Sequence, residues 1–279
     1  QAITDHLTGL LNRQGFEAAL DDRIREADCS GAALACLFVD LDRFKSVNDN
    51  LGHTAGDEVL RQVVARMAPL MQGTDTTSRL GGDEFAILVG GPDARQRAHD
   101  LCASIVAMFD LPFCAGSTNV RLNASIGLAF YPDHAACGGE LLQKSDLAMY
   151  TRKRDGKNGA QVYTPVILDR ARERAEIESD IEAAIAGQWF EAHFQPIVDI
   201  RSASLVGFEA LMRLRHPTKG LMSPAGIISV AEENGQIGQI GNLILEEAIA
   251  NLASLSSLEG MQDAYVAVNF SPLQFETSL

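Results

Sequence analysis

The chain has 279 residues, 46% of them hydrophobic, enough to bury two cores, so two domains is the natural division. Its net charge of −14 argues against nucleic acid or an anionic membrane surface as a general partner, although lysines and bound cations still allow it a nucleotide. Cys29, Cys36, Cys102, Cys114 and Cys137 are odd in number and lack metal-ligand spacing, which reads as reduced thiols in a cytoplasmic protein. No apolar run reaches the roughly 18 residues of a membrane helix, and nothing resembles a signal peptide. A sensory or membrane segment could precede the chain without showing in it.

In chain order, a helix is expected over about 12–28, then a strand over about 33–41. Leu34–Val39 is unbroken apolar sequence, which means a strand covered on both faces, and it runs into Asp40-Leu41-Asp42. Period-two alternation puts Asp40 and Asp42 on one side as the strand leaves the sheet. Residues 43–57 are polar and turn-rich and carry Lys45, Asn48 and Asp57. They read as a loop leading to a helix over about 56–71, whose apolar face is Val59, Leu60, Val63, Val64, Met67 and Leu70. Thr76–Leu80 and Phe85–Val89 then read as the arms of a hairpin with Gly81-Gly82 as its turn. Glycines let a backbone pass close to a ligand, and the adjacent acids Asp83 and Glu84 suit a hard divalent cation. Taken alone, an ordinary glycine turn with solvated acids also accounts for that run. A helix over about 94–110, an alternating strand over about 120–131, a helix over about 139–153 and a short strand near 160–163 follow. The order is βαββαβ with extra elements, an α/β arrangement of helices covering a mixed sheet.

Several separate motifs agree with one known pattern. Asp5-His6-Leu7-Thr8-Gly9-Leu10-Leu11-Asn12-Arg13 opens it, followed by Asp40-Leu41-Asp42-Arg43-Phe44-Lys45, Asn48-Asp49, Gly52-His53 and Gly56-Asp57. Gly81-Gly82-Asp83-Glu84-Phe85, Ser125-Ile126-Gly127, Tyr150-Thr151-Arg152-Lys153 and Gly156-Lys157-Asn158 complete it. In this order and spacing, residues 1 to about 163 resemble a GGDEF-type diguanylate cyclase, which condenses two GTP into cyclic di-GMP on a palm domain related to nucleotidyl cyclases. The resemblance implies two Mg²⁺ (or Mn²⁺) ions per site, held by Asp40 and Asp83 with the Leu41 carbonyl. Glu84 would assist at the metal or in activating the hydroxyl. It implies that Lys45 and Lys153 grip the terminal phosphates, that Arg79 supports developing charge, and that Lys157, Gly81 and Gly82 lie at the substrate. Asn48 and Asp57 would read guanine, since an acid accepts from a ring N–H and amine that adenine does not present. For Lys153 and Lys157, cations at a helix C-terminus are an equally good and compatible reading. One domain holds one GTP in this scheme, so activity implies a homodimer.

Two departures stand out. Many such cyclases carry an Arg-x-x-Asp product-inhibition motif before the hairpin; here the residues are Gln72-Gly73-Thr74-Asp75, and weak product inhibition is expected. Lys157 stands where the family often has Arg.

Beyond the first domain (1–165) a charged helix over Asp169–Gly187 leads into strand-like runs at Phe190–Ile200 and Leu205–Leu214. Gln195-Pro196-Ile197-Val198, Glu209-Ala210-Leu211-Met212-Arg213, His216-Pro217, Ala231-Glu232-Glu233-Asn234-Gly235 and Val268-Asn269-Phe270-Ser271 resemble the start of an EAL-type cyclic di-GMP phosphodiesterase, a TIM-like barrel. The match implies that Glu209 and Asn269 are metal ligands, Arg213 a phosphate contact and Gln195 a ligand-side residue. Residues 166–279 are too few for a barrel of roughly 250, so an incomplete barrel is expected and hydrolysis only where a parent protein completes it. Two readings stay open: an active cyclase, or a GTP-binding regulatory module that tunes an attached phosphodiesterase.

Overall fold

The apolar run before Asp40 becomes a strand buried along its whole length, Leu34–Asp42, and the rest of its unit is built around it. The computed structural model describes residues 3–116, 118–255 and 263–276. They divide into two units, 1–168 and 169–279.

The first unit runs α1 (Arg13–Ser30), β1 (Leu34–Asp42), α2 (Phe44–Leu51), α3 (His53–Met67), β2 (Thr76–Gly81), β3 (Glu84–Gly90) and α4 (Ala94–Met108). After these come β4 (Phe113–Ala115), β5 (Thr118–Val120), β6 (Asn123–Tyr131), α5 (Gly138–Arg154) and β7 (Gly159–Val162). The sheet order is β2-β3-β1-β6-β7, with β1 antiparallel to both neighbours and β7 parallel to β6. Alternation sends Ala35, Leu37, Val39 and Leu41 to the face covered by α3 and α4, where Val59, Val63, Ala98 and Ile105 meet them. Leu34, Cys36 and Phe38 face the other way, against Phe16 and Leu20 of α1 and Leu141 and Met149 of α5. Asp40 and Asp42 continue that second face, and both stay buried inside the paired strand rather than leaving it.

Several expectations are corrected. The polar stretch after Asp42 is not a loop: Phe44 and Val47 are buried one turn apart, and that spacing folds 44–51 into α2 after Arg43 turns the chain with φ 64°. The residues at the hairpin tip are Gly82 and Asp83, because Gly81 pairs with Glu84 after an irregularity at Leu80. The strand expected over 120–131 is two elements. β5 closes a small hairpin with β4, and β6 starts at Asn123 and is buried on both faces from Ala124 onward.

Gly127 of β6 lets α5 lie directly on the sheet. A Cβ there would collide with the Ser145 carbonyl and the Met149 amide, both backbone atoms that cannot step aside. This close approach fixes where the last turn of α5, with Lys153, ends.

The second unit contains α6 (Pro165–Gly187, beginning in the first unit), β8 (Phe190–Val198), β9 (Leu205–His216), β10 (Gly220–Met222), α7 (Pro224–Glu233), α8 (Ile237–Leu255), β11 (Tyr265–Val268) and α9 (Leu273–Glu276). Strands β8 and β10 are antiparallel to β9, and β11 is parallel to it. Phe190, Ala192, Ala210 and Leu214 pack under α7 and α8. Among the described residues this is an open mixed sheet with one parallel pair, and no closed barrel is formed. No helix among them is long and apolar enough to cross a membrane.

Gly127→Ala is expected to lower the unfolding free energy of the first unit by about 2 kcal/mol through overpacking, read from the shift of a urea transition. A change below about 0.5 kcal/mol, the size of a neutral surface substitution, would show that α5 is not held at contact distance.

Candidate functional site

Antiparallel register builds the site before any side chain is considered. Asp40 is the direct partner of Glu84, and the Leu41 amide donates to the Asp83 carbonyl at 3.3 Å. The end of β1 and the tip of the β2–β3 hairpin are thus stitched together, which gathers Asp40, Leu41, Asp83 and Glu84. Gly82 has φ 52°, a conformation that favours glycine, and space is open within 4 Å of a Cβ on either Gly81 or Gly82.

Lys153 reaches in from the last turn of α5, with Nζ 2.6 Å from Asp40 Oδ2. The Asp40 side chain is only 7% exposed, and its other oxygen, Oδ1, is buried with no hydrogen-bond partner. Burial pushes the Asp40 carboxyl up to about 6; Asp83 and Glu84 add to the rise, and the hydrogen bond and charge of Lys153 oppose it. Glu84 is also raised, first by burial, then by the like charge of Asp146, with Arg13 opposing. Asp42, on the same side of β1, serves the fold instead: it accepts from Ser125 Oγ at 2.9 Å and from the Asn158 amide at 3.0 Å.

A divalent cation fits this donor set. A buried carboxylate oxygen without a partner, crowded by two further acids, is stabilised by added positive charge. Among the described residues, however, no three His, Cys, Asp or Glu side chains converge into a metal cluster. The expected set includes a backbone carbonyl, and the positive charge seated on Asp40 is the Lys153 ammonium.

Other expected residues fall in three places. Asn48 of α2 lies against Gly56 of α3, so close that a Cβ on Gly56 would collide with its Oδ1; Asp57 is the next residue, half-buried. Lys45 is exposed on the first turn of α2. Lys157 is exposed with φ 60° in the loop after α5, beyond the helix end, so the helix-terminus reading holds for Lys153 and not for Lys157. Arg152 ties that loop down through the Lys157 carbonyl at 2.6 and 3.0 Å.

Arg79 is placed differently from the expectation that it supports developing charge. Its Nε and Nη2 donate to the Gly82 carbonyl at 2.9 and 2.8 Å, and Nη1 donates to both Asp5 oxygens at 3.1 and 3.2 Å. Its side chain is 11% exposed. The guanidinium is a clamp that ties the N-terminal segment to the hairpin turn, and the Arg79 amide reinforces it by donating to the Leu11 carbonyl at 2.8 Å. Burial raises the Asp5 carboxyl, but hydrogen bonds from Thr8 and Arg79 outweigh it and the net shift is downward. The clamp therefore holds at neutral pH and is lost only as pH falls through that lowered value.

Asp75, the acid of the altered inhibition motif, has a side chain 1% exposed, taken by Arg97 at 2.7 and 2.8 Å and by the Gln72 amide at 2.8 Å. Sequence reading missed Arg13 and Asp146 as site neighbours. The available signal was Asp146 lying seven residues before Lys153, hence on the same face of α5.

In the second unit, Gln195 and Glu209 are direct partners across β8 and β9, and Asn269 Nδ2 donates to Glu209 Oε1 at 2.7 Å. Arg213, four residues along β9 from Glu209 and on the same face, donates to the Met212 carbonyl at 2.8 Å. Arg213 and Asn269 also line a cavity of about 270 Å³.

Asp5→Asn is expected to speed amide hydrogen exchange of residues 8–11 by roughly tenfold, the loss of a charge-assisted contact. Unchanged protection would mean that Arg79 does not clamp the segment.

The profile described as diguanylate cyclase, GGDEF domain, matches residues 2–159, and that of the EAL domain matches 178–278. The chain is 36% identical over 274 residues to the bifunctional diguanylate cyclase/cyclic di-GMP phosphodiesterase MucR of Pseudomonas aeruginosa, covering 98% of this chain and 40% of MucR. It is 35% identical over 265 residues to the cyclic di-GMP phosphodiesterase NbdA of the same organism, covering 95% of this chain and 34% of NbdA. The chain thus spans well under half the length of these relatives. Among solved structures, the GGDEF domain of TpbB (YfiN) from Pseudomonas aeruginosa superposes with a TM-score of 0.58 at 37% identity, covering 61% of this chain and 99% of that one. This chain belongs to the GGDEF diguanylate cyclase family, joined to an EAL domain as in the cyclic di-GMP signalling proteins.

Proposed function

We propose that the first unit is a diguanylate cyclase, joining two GTP into cyclic di-GMP with release of pyrophosphate. The observation that carries this reading is the unpartnered, buried Asp40 Oδ1 held beside Asp83 and Glu84 with Lys153 within 2.6 Å of the same carboxylate. In the reaction a ribose 3′-oxygen attacks an α-phosphorus and the bond to pyrophosphate breaks. Success depends on alignment and on neutralising charge. Two Mg²⁺ or Mn²⁺ ions, when bound by Asp40, Asp83, Glu84 and the Leu41 carbonyl, would supply that neutralisation and lower the pKa of the attacking hydroxyl. Lys153, Lys45 and Lys157 would meet the triphosphate from the last turn of α5, from α2 and from the loop after α5. The open space over Gly81 and Gly82 admits the substrate close to the backbone. Arg79 acts by holding the turn, not by touching the substrate. Asn48 and Asp57 accept and donate along the guanine edge. Each unit binds one GTP, so two copies of the chain face each other to react.

A second reading has support of its own. NbdA, named as a phosphodiesterase, aligns across both regions of the chain. The first unit would then bind GTP and tune hydrolysis of cyclic di-GMP by the EAL domain, a TIM-like barrel in the whole protein. Glu209 and Asn269 would be metal ligands there, with Arg213 and Gln195 at the ligand.

Incubating the chain with GTP and Mg²⁺ should yield cyclic di-GMP, and Asp83→Ala should lower the yield by at least about a hundredfold, the scale of losing a transition-state charge contact. GTP binding without product would favour the regulatory reading. Gly56→Ala should push Asn48 aside and weaken GTP binding by about tenfold, the value of one hydrogen bond to a buried partner. ATP binding should be unaffected, and equal losses for both nucleotides would remove Asn48 from base recognition.

A further inference from the structure

The loop between α5 and β7 keeps an unfavourable backbone. Lys157 has φ 60° and Asn158 φ 45°, two adjacent residues with side chains in the left-handed region, where a Cβ crowds its own carbonyl. Such a conformation persists only where the surroundings over-determine it, and it concentrates at functional sites. Two ties hold it here. Arg152, half-buried in the last turn of α5, donates from Nε and Nη2 to the Lys157 carbonyl at 3.0 and 2.6 Å. Its own carbonyl accepts from the Lys157 amide at 3.0 Å, so residues 152 and 157 are bonded in both directions. Asp42, 5% exposed, accepts from the Asn158 amide at 3.0 Å and is itself fixed by the Ser125 hydroxyl at 2.9 Å.

Both ends of this loop lead back to Asp40. It starts after Lys153, whose Nζ is 2.6 Å from Asp40 Oδ2. It ends at Gly159, which pairs with Ser125 of β6, and Ser125 is in turn the partner of Asp40 on β1. Lys157, exposed, is thus carried on a segment fixed to the strand that holds the buried acid. With two donors on one main-chain carbonyl, the Arg152 guanidinium acts on the direction of the backbone, which a single ammonium holds less firmly.

We infer that Arg152 is a positioning residue for the substrate. With Asp42 anchoring the next residue, it holds Lys157 in left-handed backbone and so fixes the direction from which that lysine meets the triphosphate. The inference rests on the reading of Lys157 as a phosphate contact and adds what makes that contact effective. A lysine on a preset backbone has less freedom to lose when the nucleotide arrives.

The test is equilibrium binding to the full chain, with Mg²⁺, of α,β-methylene GTP, whose bridge resists cleavage, and of GMP, which lacks the outer phosphates. Lys157→Met should weaken binding of the triphosphate analogue by about tenfold, the loss of one charge-assisted contact. Arg152→Met should weaken it by about fivefold, the loss of ordering of one long side chain. GMP binding should stay within twofold of wild type in both. The double variant should bind no more weakly than Lys157→Met alone, because a residue acting through Lys157 has nothing left to position. Arg152→Lys, which keeps one donating group, should fall between wild type and Arg152→Met. Unchanged analogue binding in Arg152→Met, losses that add in the double variant, or an equal loss for GMP would each overturn the inference while leaving GTP binding in place. Absence of analogue binding by the wild type would overturn the GTP reading itself.

Discussion

Asp40 stands at the end of a strand whose side chains are buried on both faces, and the surrounding structure answers the electrostatic demand this creates. A carboxylate so enclosed either takes a proton, takes a cation, or is not tolerated. Here its carboxyl is pushed up to about 6 even with the Lys153 ammonium at 2.6 Å, because Asp83 and Glu84 stand on the neighbouring hairpin. Those acids arrive through the pairing of β1 with β3 and not through chance proximity of surface groups. The central strand that organises the core therefore also sets the charge problem of the site.

Two close backbone approaches support this arrangement from either side. At Gly127, α5 lies on β6, which brings Lys153 to Asp40. At Gly56, α3 lies against Asn48 of α2. Neither glycine needs an unusual backbone angle. Each is needed for lack of a side chain. The Asp5–Arg79–Gly82 clamp adds a third tie, joining the segment before α1 to the hairpin turn.

The second unit repeats the theme with different geometry. Its helices cover one face of the sheet, which leaves Gln195, Glu209 and Arg213 of β8 and β9 together on the other, with Asn269 hydrogen-bonded to Glu209 just past β11. Again, strand pairing, not loop contacts, gathers the polar residues.

Much of this was legible in the residues. The unbroken apolar run Leu34–Val39, the glycine pair with its two acids and the helical spacing of Val59, Leu60 and Val63 specify a buried strand, a tight hairpin and an amphipathic helix through local chemistry. The family motifs contain Asp40, Leu41, Asp83, Glu84 and Lys153, which strand pairing and α5 bring together. What local chemistry could not decide was position. Whether Gly81 pairs or turns depends on the register with β3. Whether Arg79 faces a substrate or a carbonyl depends on where residues 3–12 return, and Asp5 lies 74 positions away in sequence. The helix over 44–51 depends on a core into which Phe44 and Val47 can be buried. Arg13 shows no chemistry alone; it meets Glu84 because α1 begins beside the hairpin. The amino-acid sequence determined most of the elements and which charged side chains stand at their ends, since these follow from period and side-chain chemistry. Only the tertiary structure decided which charges face one another, because Coulomb interactions depend on distance and burial, and both are set by contacts far apart in the chain.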